Sequence, residues 1–118
     1  MNTNINNEIQ IIVNRFKAKD FDYVINKSKV LFKKFSNNDL LWNIRGLSLQ
    51  SKGNIKDSIG CFQMALNNNP KNIAARNNLG NSYKYANQFN LAKDCFEECI
   101  KNDPNYTASI VNLANLKV

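Results

Sequence analysis

Residues 77–81 read Asn77-Asn78-Leu79-Gly80-Asn81, inside a stretch from Ile73 to Ala86 that otherwise spaces its apolar residues like a helix. Three amides and a glycine are poor choices there. Asn is a mediocre helix former, and Gly costs about 1 kcal/mol relative to Ala. Thirty-four residues later the chain writes Val111-Asn112-Leu113-Ala114-Asn115, keeping the second and last Asn and a small residue at the fourth place.

That interval organises the chain. A shift of 34 aligns Asp39–Asn72 with Ile73–Tyr106 without a gap. The identical pairs are Asn43/Asn77, Gly46/Gly80, Ser48/Ser82, Cys61/Cys95, Phe62/Phe96, Asn68/Asn102 and Pro70/Pro104. Each unit reads as helix A, tight turn, helix B, turn. In the first unit helix A runs from about Asp39 to Lys52, and Gly53 supplies the left-handed backbone that commonly closes a helix. Asn87 holds the equivalent place, and Asn is the next-best residue for it. Helix B covers about Ile55 to Asn68, then about Phe89 to Asn102. Pro70 and Pro104 punctuate the exits, with Asn72 and Asn105 as candidate N-caps.

Composition narrows the functional classes. The chain has 118 residues, 43% apolar, enough for one modest core. The N-terminus MNTNINNEIQ has neither the basic nor the apolar region of a signal peptide, and no apolar run approaches bilayer length. Three cysteines, without a CxxC pair and with no histidine in the chain, suit neither a disulfide framework nor a zinc site. They read as small buried residues in a reducing cytoplasm. Neither metal nor cofactor is expected. The net charge of +7 invites nucleic acid. However, Asn is roughly a fifth of the chain, and Asn, Lys and Ile all have AT-rich codons. Position therefore counts for more than abundance.

The pattern resembles the tetratricopeptide repeat, W-x2-L-G-x2-Y, then A-x3-F, then P, over 34 residues. The first unit supplies Trp42, Gly46, Phe62 and Pro70, with Ala65 three residues after the Phe; Arg45, Leu49 and Ser58 depart from the pattern. The second supplies Leu79, Gly80, Tyr83, Ala92, Phe96 and Pro104, with Arg76 in the Trp place and Cys99 in the small place. Residues 1–38 fit a degenerate repeat, with Ile12 in the Gly place and Ser36 in the Pro place. Residues 107–118 fit helix A of a further repeat or a C-terminal cap. The resemblance implies an all-α, right-handed superhelical solenoid of antiparallel helix pairs, about three and a half repeats and seven helices. It also explains Gly80: helices A and B cross closely, and Gly46, Gly80 and Ala114 on helix A keep the crossing open, as do Ser58 and Ala92 on helix B.

No catalytic motif is present: no His, no phosphate loop, no nucleophile motif. A non-catalytic scaffold that binds a protein or peptide is expected. An alternative is the substrate-recruiting arm of a larger glycosyltransferase, sulfotransferase or oxygenase. The resemblance places positions 2, 5, 6, 9, 12 and 13 of each repeat on a concave wall. The candidate peptide-binding residues are Asn43, Leu47, Gln50, Asn77, Asn78, Asn81, Lys84, Tyr85, Asn112 and Asn115. Amides both donate and accept, so a row of them can hold an extended backbone without selecting side chains, as in the O-linked N-acetylglucosamine transferase family. On this reading, loss of Asn78 and Asn112 leaves stability almost unchanged.

A carboxylate clamp for chaperone C-termini would need Lys at position 5, Asn at 9, Asn at the next position 6, and cations at positions 2 and 6 of the third repeat. The chain offers Asn43, Leu47, Asn78, Ala108 and Asn112, one match. Nucleic acid is disfavoured, since only Lys84 and Tyr85 combine charge and ring on the wall. Helix 107–118, with Ile110, Val111, Leu113, Leu116 and Val118, is apolar on more than one face. It predicts self-association there, or a chain that continues past Val118.

Overall fold

Three residues with left-handed backbone stand 34 apart: Lys19 (φ 62°), Gly53 (φ 86°) and Asn87 (φ 60°). Each turns one helix back against the next. The computed structural model describes residues 2–116, with side chains from residue 6. It contains α1 (Asn2–Lys17), α2 (Phe21–Leu31), α3 (Asp39–Ser51), α4 (Ile55–Asn68), α5 (Ile73–Tyr85), α6 (Phe89–Asn102) and α7 (Thr107–Asn115). Every helix packs on its successor, and α1, α3, α5 and α7 also touch in that order. The A helices thus share one wall of a body measuring 44 × 27 × 22 Å.

The expected turns at Gly53 and Asn87 are present. Lys19 occupies the same place in the first pair, although a bulky side chain rarely adopts positive φ. The caps repeat as well: Asn38 accepts from the Leu41 N–H at 2.9 Å and Asn72 from the Ala75 N–H at 2.9 Å. The third differs from expectation. Tyr106, not Asn105, stands at the N-cap of α7, without a side-chain cap bond.

Glycine sets the closeness of the helix pairs. A Cβ on Gly46 would lie 2.6 Å from the Phe62 ring, and one on Gly80 would lie 2.5 Å from the Phe96 ring. Both rings are fully buried, as are Ser58 and Ala92 on the facing helices. In the first pair Ile12 fills the slot and is itself buried, within a cluster of Val24, Leu31, Leu41 and Ile44. The bulk of Ile12 goes with looser packing of α1 on α2. The cysteines take the expected core role: Cys61, Cys95 and Cys99 are free and buried. Burial pushes the Cys95 thiol up to about 11, so it is protonated at neutral pH.

The expected helix 107–118 is shorter. Regular structure ends at Asn115, Leu116 is extended, and Val118 lies outside the described residues. Only Ser109 of α7 is buried, while Ile110 and Val111 are 42% and 48% exposed. Ala114 faces no helix B and is exposed. No described helix is long and apolar enough to cross a membrane.

Candidate functional site: the amide wall of the A helices

Five of the ten sequence candidates are asparagines on α5 and α7 at positions 5, 6 and 9, where a helix presents neighbouring faces. They do not all do the same thing. Asn43 and Asn77, expected in the groove, are only 8% and 6% exposed. Their carbonyls are occupied by the next A helix. The Asn78 amide donates to Asn43 Oδ1 at 3.0 Å, and the Asn112 amide donates to Asn77 Oδ1 at 2.9 Å. Ser109 Oγ also donates to Asn77 Oδ1, at 2.8 Å. Position 5 of one unit therefore pairs with position 6 of the next, and the pair bridges units before it can hold any ligand.

This pairing changes the expected cost of removing Asn78 and Asn112. Each is half-buried and supplies a side-chain bond, worth typically about 1 kcal/mol. Their loss is not neutral for stability. The bond has a second effect: with one N–H committed, each position-6 amide is held in one orientation, leaving its carbonyl and second N–H uncommitted.

Position 9 is different. Asn81 is half-buried, Asn115 is exposed, and neither amide bonds to another described side chain. Leu47, at the same place on α3, is half-buried against Phe62 and Leu79. Gln50 is committed: its amide donates to Ser82 Oγ at 2.8 Å, and Ser82 in turn meets Ser58 Oγ at 2.8 Å. That chain links α3, α4 and α5 through buried hydroxyls. The Lys84 ammonium lies 5.5 Å from the Tyr85 ring centre. Tyr85 is 58% exposed and borders a 360 Å³ hollow with Gln50, Ser51, Gly53 and Ile55.

Sequence reasoning missed the role of Arg45. Its guanidinium crosses from α3 to α2, donating to the Ile25 carbonyl and to Ser28 Oγ. Ser28 is fully buried. The departure of Arg45 from the repeat pattern was the signal: it replaces an apolar contact by a bridge to the preceding pair.

The architecture is that of an all-α repeat protein, stacked helix pair on helix pair. Residues 73–106 match the tetratricopeptide repeat family. A chloroplastic tetratricopeptide repeat domain-containing protein, PYG7 of Arabidopsis thaliana, is 34% identical over 65 residues, 55% of this chain and 22% of that protein. This chain thus spans about a fifth of that relative's length. The second TPR domain of human RPAP3, solved with an HSP70 peptide, superposes with a TM-score of 0.88 at 17% identity, covering 94% of this chain and 92% of that one. The first TPR of Spaghetti, bound to an HSP90 peptide, gives 0.86 at 16% identity over 91% and 85%. The Arabidopsis OM64 TPR domain gives 0.85 at 15% over 90% and 88%. Residues 73–106 are thus a tetratricopeptide repeat, and the seven helices share the fold of tetratricopeptide repeat domains.

Proposed function

We propose that the chain is a non-catalytic scaffold that holds an extended protein or peptide segment along the A-helix wall, with units 1–38, 39–72, 73–106 and 107–118 contributing in order. The observation that carries this reading is the set of amides on α5 and α7: among the described residues Asn81 and Asn115 bond to no other side chain, and Asn78 and Asn112 are oriented by their partners. Oriented donors and acceptors suit a peptide backbone, because little orientational freedom remains to be lost on binding. The peptides bound by the RPAP3 and Spaghetti domains both end in EEVD. Such acidic tails fit poorly here, since Lys84 is the sole cation among the ten candidates and only Asn78 matches the clamp. A segment of low charge fits better. Buried free thiols suit a reducing compartment, the cytoplasm in the simplest case.

Pull-down with the chain, read by mass spectrometry, tests the groove when wild type is compared with Asn81→Ala/Asn115→Ala. Neither amide bonds to another described side chain, so melting should move little while captured partners fall severalfold. Equal capture by both proteins overturns the groove reading.

Self-association through α7 is a second proposal, carried by the exposure of Ile110 and Val111 side by side. Light scattering should show mass rising with concentration, and Ile110→Lys/Val111→Lys should return it to the monomer. A constant monomer mass with slow hydrogen exchange across 107–115 would mean that α7 already caps the stack.

A further inference from the structure

The repeat allows one junction to be compared with the next, position by position. Between the first and second units the surface formed by Ser36, Asp39, Trp42, Asn68 and Asn69 is closed. Trp42 stacks on Phe32 with ring centres 3.7 Å apart and donates from Nε1 to the Ser36 carbonyl at 2.7 Å. Asn68 also donates to the Ser36 carbonyl, at 3.4 Å. Asn69 and Asn72 both donate to Asp39 Oδ2, at 3.1 and 2.8 Å. Trp42 thus ties α3 to the end of α2, and the amides of Asn69 and Asn72 strap the end of α4 to the start of α3.

Thirty-four residues on, all but one of these straps are missing. Ile73 stands for Asp39 and offers no acceptor; Leu66 stands for Phe32 and offers no ring to stack upon; Arg76 stands for Trp42. Arg76 keeps one trace of the older arrangement, donating from Nη2 to the Pro70 carbonyl at 3.3 Å, the counterpart of Trp42 to Ser36. What the straps close in the first junction is here an open cleft of 420 Å³, lined by Pro70, Lys71, Ile73, Arg76, Asn102 and Asp103. Its volume lies in the range of small-molecule sites.

The chemistry of the cleft is specific. Arg76 carries five donors and spends one. It sits in the first turn of α5, where a cation works against the helix dipole, so its own helix gives the charge no support. Lys71 is exposed beside it. Asp103, across the cleft, uses one oxygen to accept from the Asn105 N–H at 3.1 Å and forms no ion pair with Arg76 or Lys71. Pro70 and Ile73 give an apolar wall. Arg76 lies about 100° round α5 from Asn77, off the amide wall, so the cleft is separate from the proposed peptide groove.

The geometry points to a binding site for an organic carboxylate with a short apolar body, the carboxylate forked on the Arg76 guanidinium and assisted by Lys71. A planar carboxylate takes two parallel bonds from guanidinium. A phosphate dianion is disfavoured because Asp103 would face it, whereas a monoanion leaves Asp103 free to accept from a neighbouring N–H or O–H of the ligand. The carboxylate belongs to a free small acid or to a peptide C-terminus.

The test is an NMR titration of the ¹⁵N-labelled chain with 4-methylpentanoate, acetyl-Ala-Ala-Leu with a free C-terminus, the same tripeptide as its C-terminal amide, and inorganic phosphate. Both carboxylates should shift the Arg76 Nε–H and the backbone amides of Lys71, Asn102 and Asp103 saturably, and the amide should not. Tenfold tighter binding of the tripeptide acid assigns the site to a peptide terminus; equal affinities assign it to a free acid. Arg76→Gln should weaken binding at least tenfold, Arg76→Lys should lose most of it because the fork is gone, and Arg76→Trp should abolish it by refilling the cleft. Circular-dichroism melting verifies that each variant folds. Asn81→Ala/Asn115→Ala should bind the acids as wild type does, which separates this site from the groove. Equal shifts from acid and amide, shifts from phosphate alone, or an unchanged affinity in folded Arg76→Gln would overturn the assignment.

Discussion

Gly80→Leu should lower stability by about 3 kcal/mol or more, although Leu is the better helix former by nearly 1 kcal/mol. The first atom beyond Cα already collides, because a Cβ at Gly80 would lie 2.5 Å from Phe96 Cε1 and 2.9 Å from two other ring atoms. Phe96 is fully buried, so its ring can yield only by displacing its neighbours in the core. Overpacking of this kind costs typically about 1–3 kcal/mol and occasionally more, and Leu adds three further carbons in the same direction. For a chain of this size that is a fall of roughly 10 °C in melting temperature. Gly60 gives the matched control. It lies on the exposed side of α4 with nothing within 4 Å of its missing Cβ, so Gly60→Ala should stabilise by about 1 kcal/mol. If Gly80→Leu melts at or above wild type, the close crossing of α5 and α6 does not exist in solution.

The second large effect belongs to a residue whose importance is hidden by its polarity. Asn77→Ala should destabilise by about 2 kcal/mol, well beyond the cost of an ordinary exposed Asn. Asn77 Oδ1 serves two donors, Ser109 Oγ and the Asn112 amide. Ser109 is fully buried, so its hydroxyl would be left without its acceptor, a penalty of about 1–3 kcal/mol. Half-buried Asn112 can turn to water and loses less. The decisive measurement is a double-mutant cycle. On the Asn77→Ala background, Ser109→Ala should cost almost nothing, because removing both partners also removes the unsatisfied group. Additive losses from the two single changes would show that the pairing is absent in solution.

These two sites mark how far the residues alone could be read. The glycine slots, the left-handed turns at Gly53 and Asn87, and the ends of α4 and α6 follow from local rules: a missing Cβ, a permitted φ, a cap, a proline. Such rules act within one helix pair, and a period of 34 repeats them. The partnership of Asn43 with Asn78 and of Asn77 with Asn112 was not legible, because it depends on the rotation of one A helix against the next. Spacing along the chain gives the face of each helix but not that rotation within one residue. Hence Asn77 and Asn43 read as groove residues when the structure buries them. Lys19 failed for another reason: nothing in its side chain announces positive φ, which the surrounding turn imposes on it. The apolar residues of α7 likewise fit a longer helix than the one that ends at Asn115.

The pairing of position 5 with position 6 has a consequence for lengthening the chain by duplication. A second copy of 73–106 inserted after Tyr106 would bring its own Asn78 against the original Asn77, and its own Asn77 against Asn112 and Ser109. Every buried carbonyl in the row would find a donor. A second copy of 39–72 at the same point would instead set Ile44 and Leu41 against Asn77, where Asn112 and Ser109 now stand. Asn77 Oδ1 would then be buried without a partner. Of the two units, only 73–106 is compatible with a copy of itself as its neighbour, so an array grown from this sequence would have to grow from that unit.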